Sequence, residues 1–109
     1  MELSKTTTNG WQVIKVAGQI DSKTVTDLKN FLDLNIEDGS PMGLDVTEVP
    51  FMSSAGLRTL LTLHRKTEQM GISLAIIGLK NEIADTMKVT GFYQYFTIYN
   101  DFQSIPEVN

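Results

Sequence analysis

The chain contains no cysteine, which excludes disulfide bridges, thiolate metal sites and cysteine nucleophiles and suits a reducing compartment. Histidine occurs once, at His64, so no second imidazole stands ready as a base. Basic residues are in deficit: 9 Lys plus Arg against 13 Asp plus Glu give a net charge of -4. That balance offers no electrostatic footprint for a nucleic acid or an anionic membrane. Long apolar runs are missing too. The longest, Leu74 to Leu79, is far below the ~20 residues that span a bilayer, and the opening MELSKTTTNGW has no apolar core of signal-peptide length. The expectation is a cytoplasmic protein that is neither exported, membrane-inserted nor bound to nucleic acid. There is no G-x-S-x-G, no glycine-rich phosphate loop and no H-E-x-x-H spacing, so no catalytic residue, cofactor or metal ligand is assigned.

What is present describes an ordinary globular chain, 41% hydrophobic and 20% charged over 109 residues. A chain of this size buries roughly 60–70% of the surface its unfolded form exposes, enough for one core. Glycine and proline fall singly between periodic segments, and no repeat or linker composition appears. Residues 1–109 are therefore read as one domain.

Residues 2 to 8 and 11 to 17 are rich in Thr, Val, Ile and Trp and flank Asn9-Gly10, a strong hairpin signal because both residues tolerate positive φ. From Thr24 to about Ile36, Val25, Leu28, Leu32 and Ile36 recur at helical spacing. Thr24 and Asp27 resemble a capping box, and the stop is read near Asp38-Gly39. Met42 to Val46 reads as a strand feeding a loop, Thr47 to Ser53. A second helix follows to about Met70, with Leu57, Leu60, Leu61 and His64 on its apolar side and Arg58, Thr62, Arg65 and Gln69 opposite. Gly71 is its C-terminal stop. Ser73 to Ile77 reads as a buried strand. Glu82 to Thr90 reads as a third helix, with Asn81 as N-cap, Ile83 and Met87 inward, Gly91 as stop and Phe92 folding back. Phe96 to Tyr99 adds an edge strand, and Asp101 to Pro106 holds only a frayed turn. This order predicts an α/β fold: a mostly parallel sheet of four to five strands, an N-terminal antiparallel hairpin, and helices packed on the sheet.

In such sheets function gathers at the loops after the carboxyl ends of the strands, here Gln19-Ile20-Asp21 and Val49 to Ser54. Ser54, placed directly before a helix opening at Ala55, supports two readings. It is an N-cap with no further role, or an oxygen poised where free N–H groups and the helix dipole favour a phosphate. Asp21 is likewise either a turn residue or a group that orients Ser54. Asp45 reads as structural, and His64 as a packed neighbour of the core.

The run LDVTEVPFMSSAGLRTLL (Leu44 to Leu61) resembles the signature of STAS domains, a strand ending in Asp followed by a hydrophobic loop and D-S-[STA]-G-[LI] at a helix start. GQIDSKT (Gly18 to Thr24) is similar to the family's G-x-[LI]-D loop, and MKVTGFYQYFTIY to its late helix and last strand, so the resemblance spans nearly the whole chain. It implies a single STAS domain over 1–109 and, in the anti-sigma factor antagonist members, a serine phosphorylated by an ATP-dependent kinase that doubles as the anti-sigma factor. A PP2C-type phosphatase reverses the modification. Ser54 occupies the phosphoacceptor position. The partner surface implied around it comprises Asp21, Ser53, Ser54, Ala55, Gly56, Leu57 and Arg58. The chain departs from the family at Ser53, where Asp is usual, and this makes Ser53 a second candidate acceptor.

Two enzyme-like alternatives fail on spacing. His64 lies ten residues along the same helix as Ser54, about 15 Å of rise away, so the two cannot form a hydrolase dyad. A phosphorylated receiver domain needs an acidic pair after its first strand and an Asp acceptor, and this chain opens with a hairpin. The remaining rival lies within the same superfamily: a STAS interaction subunit that is never phosphorylated, such as one in a lipid-transport ABC complex.

Overall fold

The structure, a computed structural model, describes residues 1–36 and 39–107. Asn9 and Gly10 both take positive φ (53° and 85°) and close an antiparallel hairpin between β1 (Glu2–Thr8) and β2 (Trp11–Ala17). The chain continues through α1 (Val25–Asn35), β3 (Met42–Glu48), α2 (Ser54–Gln69), β4 (Leu74–Ile77), α3 (Asn81–Thr90) and β5 (Thr97–Tyr99). The five strands lie in the order β1-β2-β3-β4-β5, with every pair after the hairpin parallel. The α/β fold predicted from the sequence is the one formed, with five strands.

Strand alternation divides the buried residues into two clusters. Ile14, Val16, Leu44, Val46 and Ile76 face a core shared with Leu28 and Leu32 of α1, Leu57, Leu60 and Leu63 of α2, and Ile83 and Met87 of α3. All three helices therefore cover one face, as right-handed crossovers between successive neighbouring strands require. On the other face Trp11, Val13, Ala75 and Ile77 form a smaller cluster closed by Ile105. The tail is held there by Trp11, whose indole N–H donates to the Pro106 carbonyl at 2.8 Å. A segment expected to fray is thus packed, because a buried indole needs an acceptor and the tail supplies one.

Several boundaries differ from the sequence reading, each for a local reason. Thr24 does not cap α1 with its side chain. Its hydroxyl instead accepts from the Asp21 N–H at 2.9 Å, while Asp21 Oδ1 accepts from the Thr24 N–H at 3.2 Å. The reciprocal pair thus forms one turn earlier than Thr24 and Asp27 suggested. α1 ends at Asn35, with Ile36 extended, and Asp38 of the expected stop lies outside the described residues. Asn81 is the first residue of α3, and Lys80 precedes it at the cap position without a side-chain capping bond, its Nζ donating to the Thr47 carbonyl instead at 2.6 Å. Gly91 does stop that helix in the left-handed region (φ 81°), and the Phe92 N–H folds back to the Met87 carbonyl at 2.9 Å. On α2 the fully buried stripe is Leu57, Leu60, Leu63 and Thr67, so the helix is turned slightly from the predicted face and Leu61 and His64 are half-buried at its border. His64 packs its ring edge-on to Phe96 (5.4 Å between centroids) and sits 3.4 Å from Glu68 Oε2.

Candidate functional site

The two loops singled out in the sequence meet through backbone bonds that prolong the β2–β3 ladder past its strands. Gly18 N–H donates to the Glu48 carbonyl (3.0 Å), Ile20 N–H to the Phe51 carbonyl (2.9 Å), and Ser53 N–H to the Ile20 carbonyl (2.8 Å). Ile20 and Met52 form a parallel bridge between buried side chains, and Val49 is buried beside them. The sequence VPFM is thereby split: Val49 and Met52 go in, Pro50 and Phe51 come out. This zipper delivers Asp21 and the start of α2 to the same corner of the molecule.

Asp21 is engaged at both carboxylate oxygens. Its Oδ1 accepts from the N–H groups of Lys23 (2.9 Å) and Thr24 (3.2 Å), and its Oδ2 from Gln19 Nε2 at 2.6 Å. The Lys23 N–H, followed by that of Thr24 and the Gln19 amide, holds the Asp21 carboxyl below the usual range, so it is ionised at neutral pH.

At the head of α2 the two serines part company. Ser53 is the N-cap: its backbone is extended (φ -78°, ψ 173°) and its Oγ accepts from the Gly56 N–H at 3.3 Å. Ser54, expected to precede the helix as its cap, is instead the first helical residue. It is exposed, and among the described residues its hydroxyl has no hydrogen-bond partner. The cap that an Asp would form at position 53 is thus made by a serine, without the negative charge. α2 has no acidic residue in its first turn.

The next residues anchor this arrangement. A Cβ on Gly56 would come within 2.7 Å of Met52 Cγ, 2.8 Å of Ile20 Cγ2 and 3.2 Å of the Ile20 carbonyl oxygen, so only glycine lets α2 press on the zipper. Leu57 is 5% exposed and belongs to the core. Ala55 is half-buried and Arg58 exposed. Of the seven positions read as a partner surface, Gly56 and Leu57 therefore offer no side chain to solvent. Asp45 is buried and accepts from the N–H (3.0 Å) and hydroxyl (2.6 Å) of Thr47, which fits its structural reading.

Two features escaped the sequence reading. Phe51 is 51% exposed beside Ser53 and Ser54, a large apolar side chain left in water at the corner. Its signal was the position of VPFM in a loop, but which of four apolar residues turns outward depends on the zipper register. The second feature is a groove of about 290 Å³ between α1 and α2, with Val25, Leu32, Ala55 and Leu63 along its walls and Lys29 and Arg58 at its rim. A Lys66–Asp33 ion pair at 3.0 Å links the two helices along it. No cluster of three or more His, Cys, Asp or Glu suited to a metal occurs among the described residues, and none of their helices is long and apolar enough to cross a membrane.

The STAS domain family model matches residues 2–105. The chain is 30% identical over 88 residues to an anti-sigma-B factor antagonist of Listeria monocytogenes, covering 80% of this chain and 77% of the relative. Its fold superposes on an anti-sigma factor antagonist from Mycobacterium paratuberculosis with a TM-score of 0.79 at 22% identity, over 90% of this chain and 84% of the other. It also superposes on the Bacillus cell fate determinant SpoIIAA in its phosphorylated form, with a TM-score of 0.66 at 16% identity over 89% and 90%. The family match, the zipped loops and the helix that opens on two serines agree: the chain belongs to the STAS domain family, among the anti-sigma factor antagonists.

Proposed function

We propose that this chain is a phosphorylation-controlled binding switch rather than a catalyst, with Ser54 as the phosphoacceptor. The unmodified corner of Ser54, Phe51 and Arg58 packs against an anti-sigma factor that is also an ATP-dependent serine kinase. A PP2C-type phosphatase restores that state after phosphorylation, and the exchange takes place in the cytoplasm. The observation that carries the reading is the division of labour at α2: Ser53 is committed to the cap and Ser54 presents a free, exposed hydroxyl. A kinase reaches the second without breaking the helix start. The phosphorylated SpoIIAA neighbour adds that this fold carries phosphate in at least one relative.

The modification adds roughly -1.5 to -2 charges and three acceptor oxygens. At the first residue of a helix the fold tolerates that charge, because free N–H groups and the dipole favour it. The effect falls on the interface, where a partner surface shaped for a hydroxyl meets a desolvated anion. A 100-fold loss of binding requires about 2.7 kcal/mol, within reach of one uncompensated interfacial charge.

The test uses immobilised wild type, Ser54→Ala and Ser54→Asp with lysate of the native source, mass spectrometry of retained proteins, and phosphosite mapping on protein recovered from cells. Retention of a serine kinase by wild type and Ser54→Ala but not by Ser54→Asp, with phosphate on Ser54, is expected. Equal retention by the two variants, or a membrane transporter component retained with no phosphate on Ser53 or Ser54, overturns the reading and leaves a static interaction subunit.

A further inference from the structure

Arg58 follows Ser54 by four residues on α2, and both are exposed. Residues so spaced stand one above the other on a helix, with Cβ atoms about 5–6 Å apart. Long helical side chains lean toward the helix N-terminus, so the Arg58 guanidinium, at the edge of the groove, is within reach of the turn that carries Ser54. The order also suits an ion pair, since an anion placed N-terminal to its cation is the favourable arrangement. Among the described residues Arg58 has no ion-pair partner. The neighbouring carboxylates are otherwise occupied, Asp21 by three donors and Asp33 by Lys66. No acid in the first turn of α2 competes for the guanidinium.

We propose that Arg58 holds the phosphate carried by Ser54, closing a charge-assisted pair along one turn of α2. The inference rests on Ser54 being the acceptor and adds what receives the phosphate. The planar fork of Arg58 binds two phosphate oxygens at once, which a lysine cannot do, and fixes the group against the helix instead of leaving it free in solvent. Arg58 is a positioning residue here. It makes the modified surface one defined shape, which a phosphatase can recognise and a kinase-type partner cannot accept.

The experiment installs phosphoserine at position 54 by genetic encoding, so no kinase is needed, and follows the phosphate by ³¹P NMR through its second ionisation. A paired cation stabilises the dianion. The apparent pKa of the phosphate in the wild-type background should lie about half a unit below that in Arg58→Gln, the size of one exposed ion pair. Arg58→Lys should recover part of the shift, and Arg65→Gln, which removes the same charge from a distant exposed site on α2, should match the wild type. Asp21 and Lys23 in the adjoining loop and Lys29, which lines the groove with Arg58, are the other charged groups of this region, and they are the same in every variant. Identical titrations for wild type and Arg58→Gln, or an equal shift in Arg65→Gln, would overturn the assignment. Absence of phosphate from Ser54 in cells would instead overturn the proposed function while leaving the pairing measured.

Discussion

The N-terminal ends of α1 and α2 lie side by side, joined by the bond from Ser53 N–H to the Ile20 carbonyl, yet they use their polar groups in opposite ways. At α1 both oxygens of the leading acid are engaged: Asp21 is held by Lys23, Thr24 and Gln19, and Thr24 answers it with its own hydroxyl. At α2 one serine is engaged and the next is spare. The start of α1 is therefore a fixed wall, and the start of α2 a fixed base carrying one loose hydroxyl. Asp21 shapes the corner and contributes a steady negative charge. Its carboxylate is oriented by Lys23, Thr24 and Gln19, and no hydrogen bond joins it to Ser54.

The contact that joins the two helix starts should produce the largest effect when disturbed. Gly56→Ala places a methyl against Met52, Ile20 and the Ile20 carbonyl oxygen, and that oxygen cannot retreat without losing its bond from Ser53. Because a backbone oxygen must yield, overpacking falls in the upper part of its usual range, about 2–3 kcal/mol, and roughly 1 kcal/mol of helix propensity offsets it, leaving a net loss of about 1–2 kcal/mol. Thermal unfolding should show it, and an unchanged midpoint would mean that α1 and α2 are not rigidly coupled at this corner.

The capping serine comes next. Ser53→Ala removes the N-cap and should lower stability by about 0.5–1 kcal/mol, the low end for a cap bond of 3.3 Å. Ser53→Asp restores an acceptor for the Gly56 N–H and adds a charge the dipole favours, so its stability should equal or exceed that of the wild type. Denaturant midpoints for the three proteins decide whether capping is all that position 53 supplies.

How far this division was legible in the sequence follows from which interactions are local. The hairpin was legible because Asn9-Gly10 fixes its own turn, and α3 was bounded correctly at Gly91 because that glycine needs no distant contact to adopt the left-handed region. The two loops of the corner were legible from the topology, whose strand ends gather them, and the role of Ser54 only through the resemblance to a known family. Which serine caps α2 was not, since the answer turns on a one-residue shift of the helix start, set by the bridge between Ile20 and Met52. Exposed Phe51 and the groove between α1 and α2 were invisible for the same reason: both exist only once segments far apart in the chain are packed. The tail misled in the other direction, because the acceptor for the Trp11 indole lies at Pro106, near the opposite end of the chain.

A smaller effect, separated by its pH dependence, is expected at the start of α1. The folded state holds the Asp21 carboxyl below its unfolded value, so the stability it contributes is complete above about pH 4 and is lost as pH falls through the folded pKa. Asp21→Asn should melt slightly below wild type at neutral pH, and the difference should shrink on acidification below about pH 4. A gap that stays constant down to the acid limit would show that the charge of Asp21 is irrelevant to the wall it builds.

The smallest effect belongs to the spare hydroxyl, and it is the one that defines the comparison. Ser54 is exposed, unbonded among the described residues and in the first helical position, where alanine gains slightly in propensity. Ser54→Ala should therefore unfold within about 0.5 kcal/mol of wild type at every pH, in contrast to its neighbour. A residue on which the fold does not depend is free to be modified without disturbing it. Were Ser54→Ala to fall as far as Ser53→Ala, both hydroxyls would be structural, and a phosphate on Ser54 would strain the helix start it is proposed to leave intact.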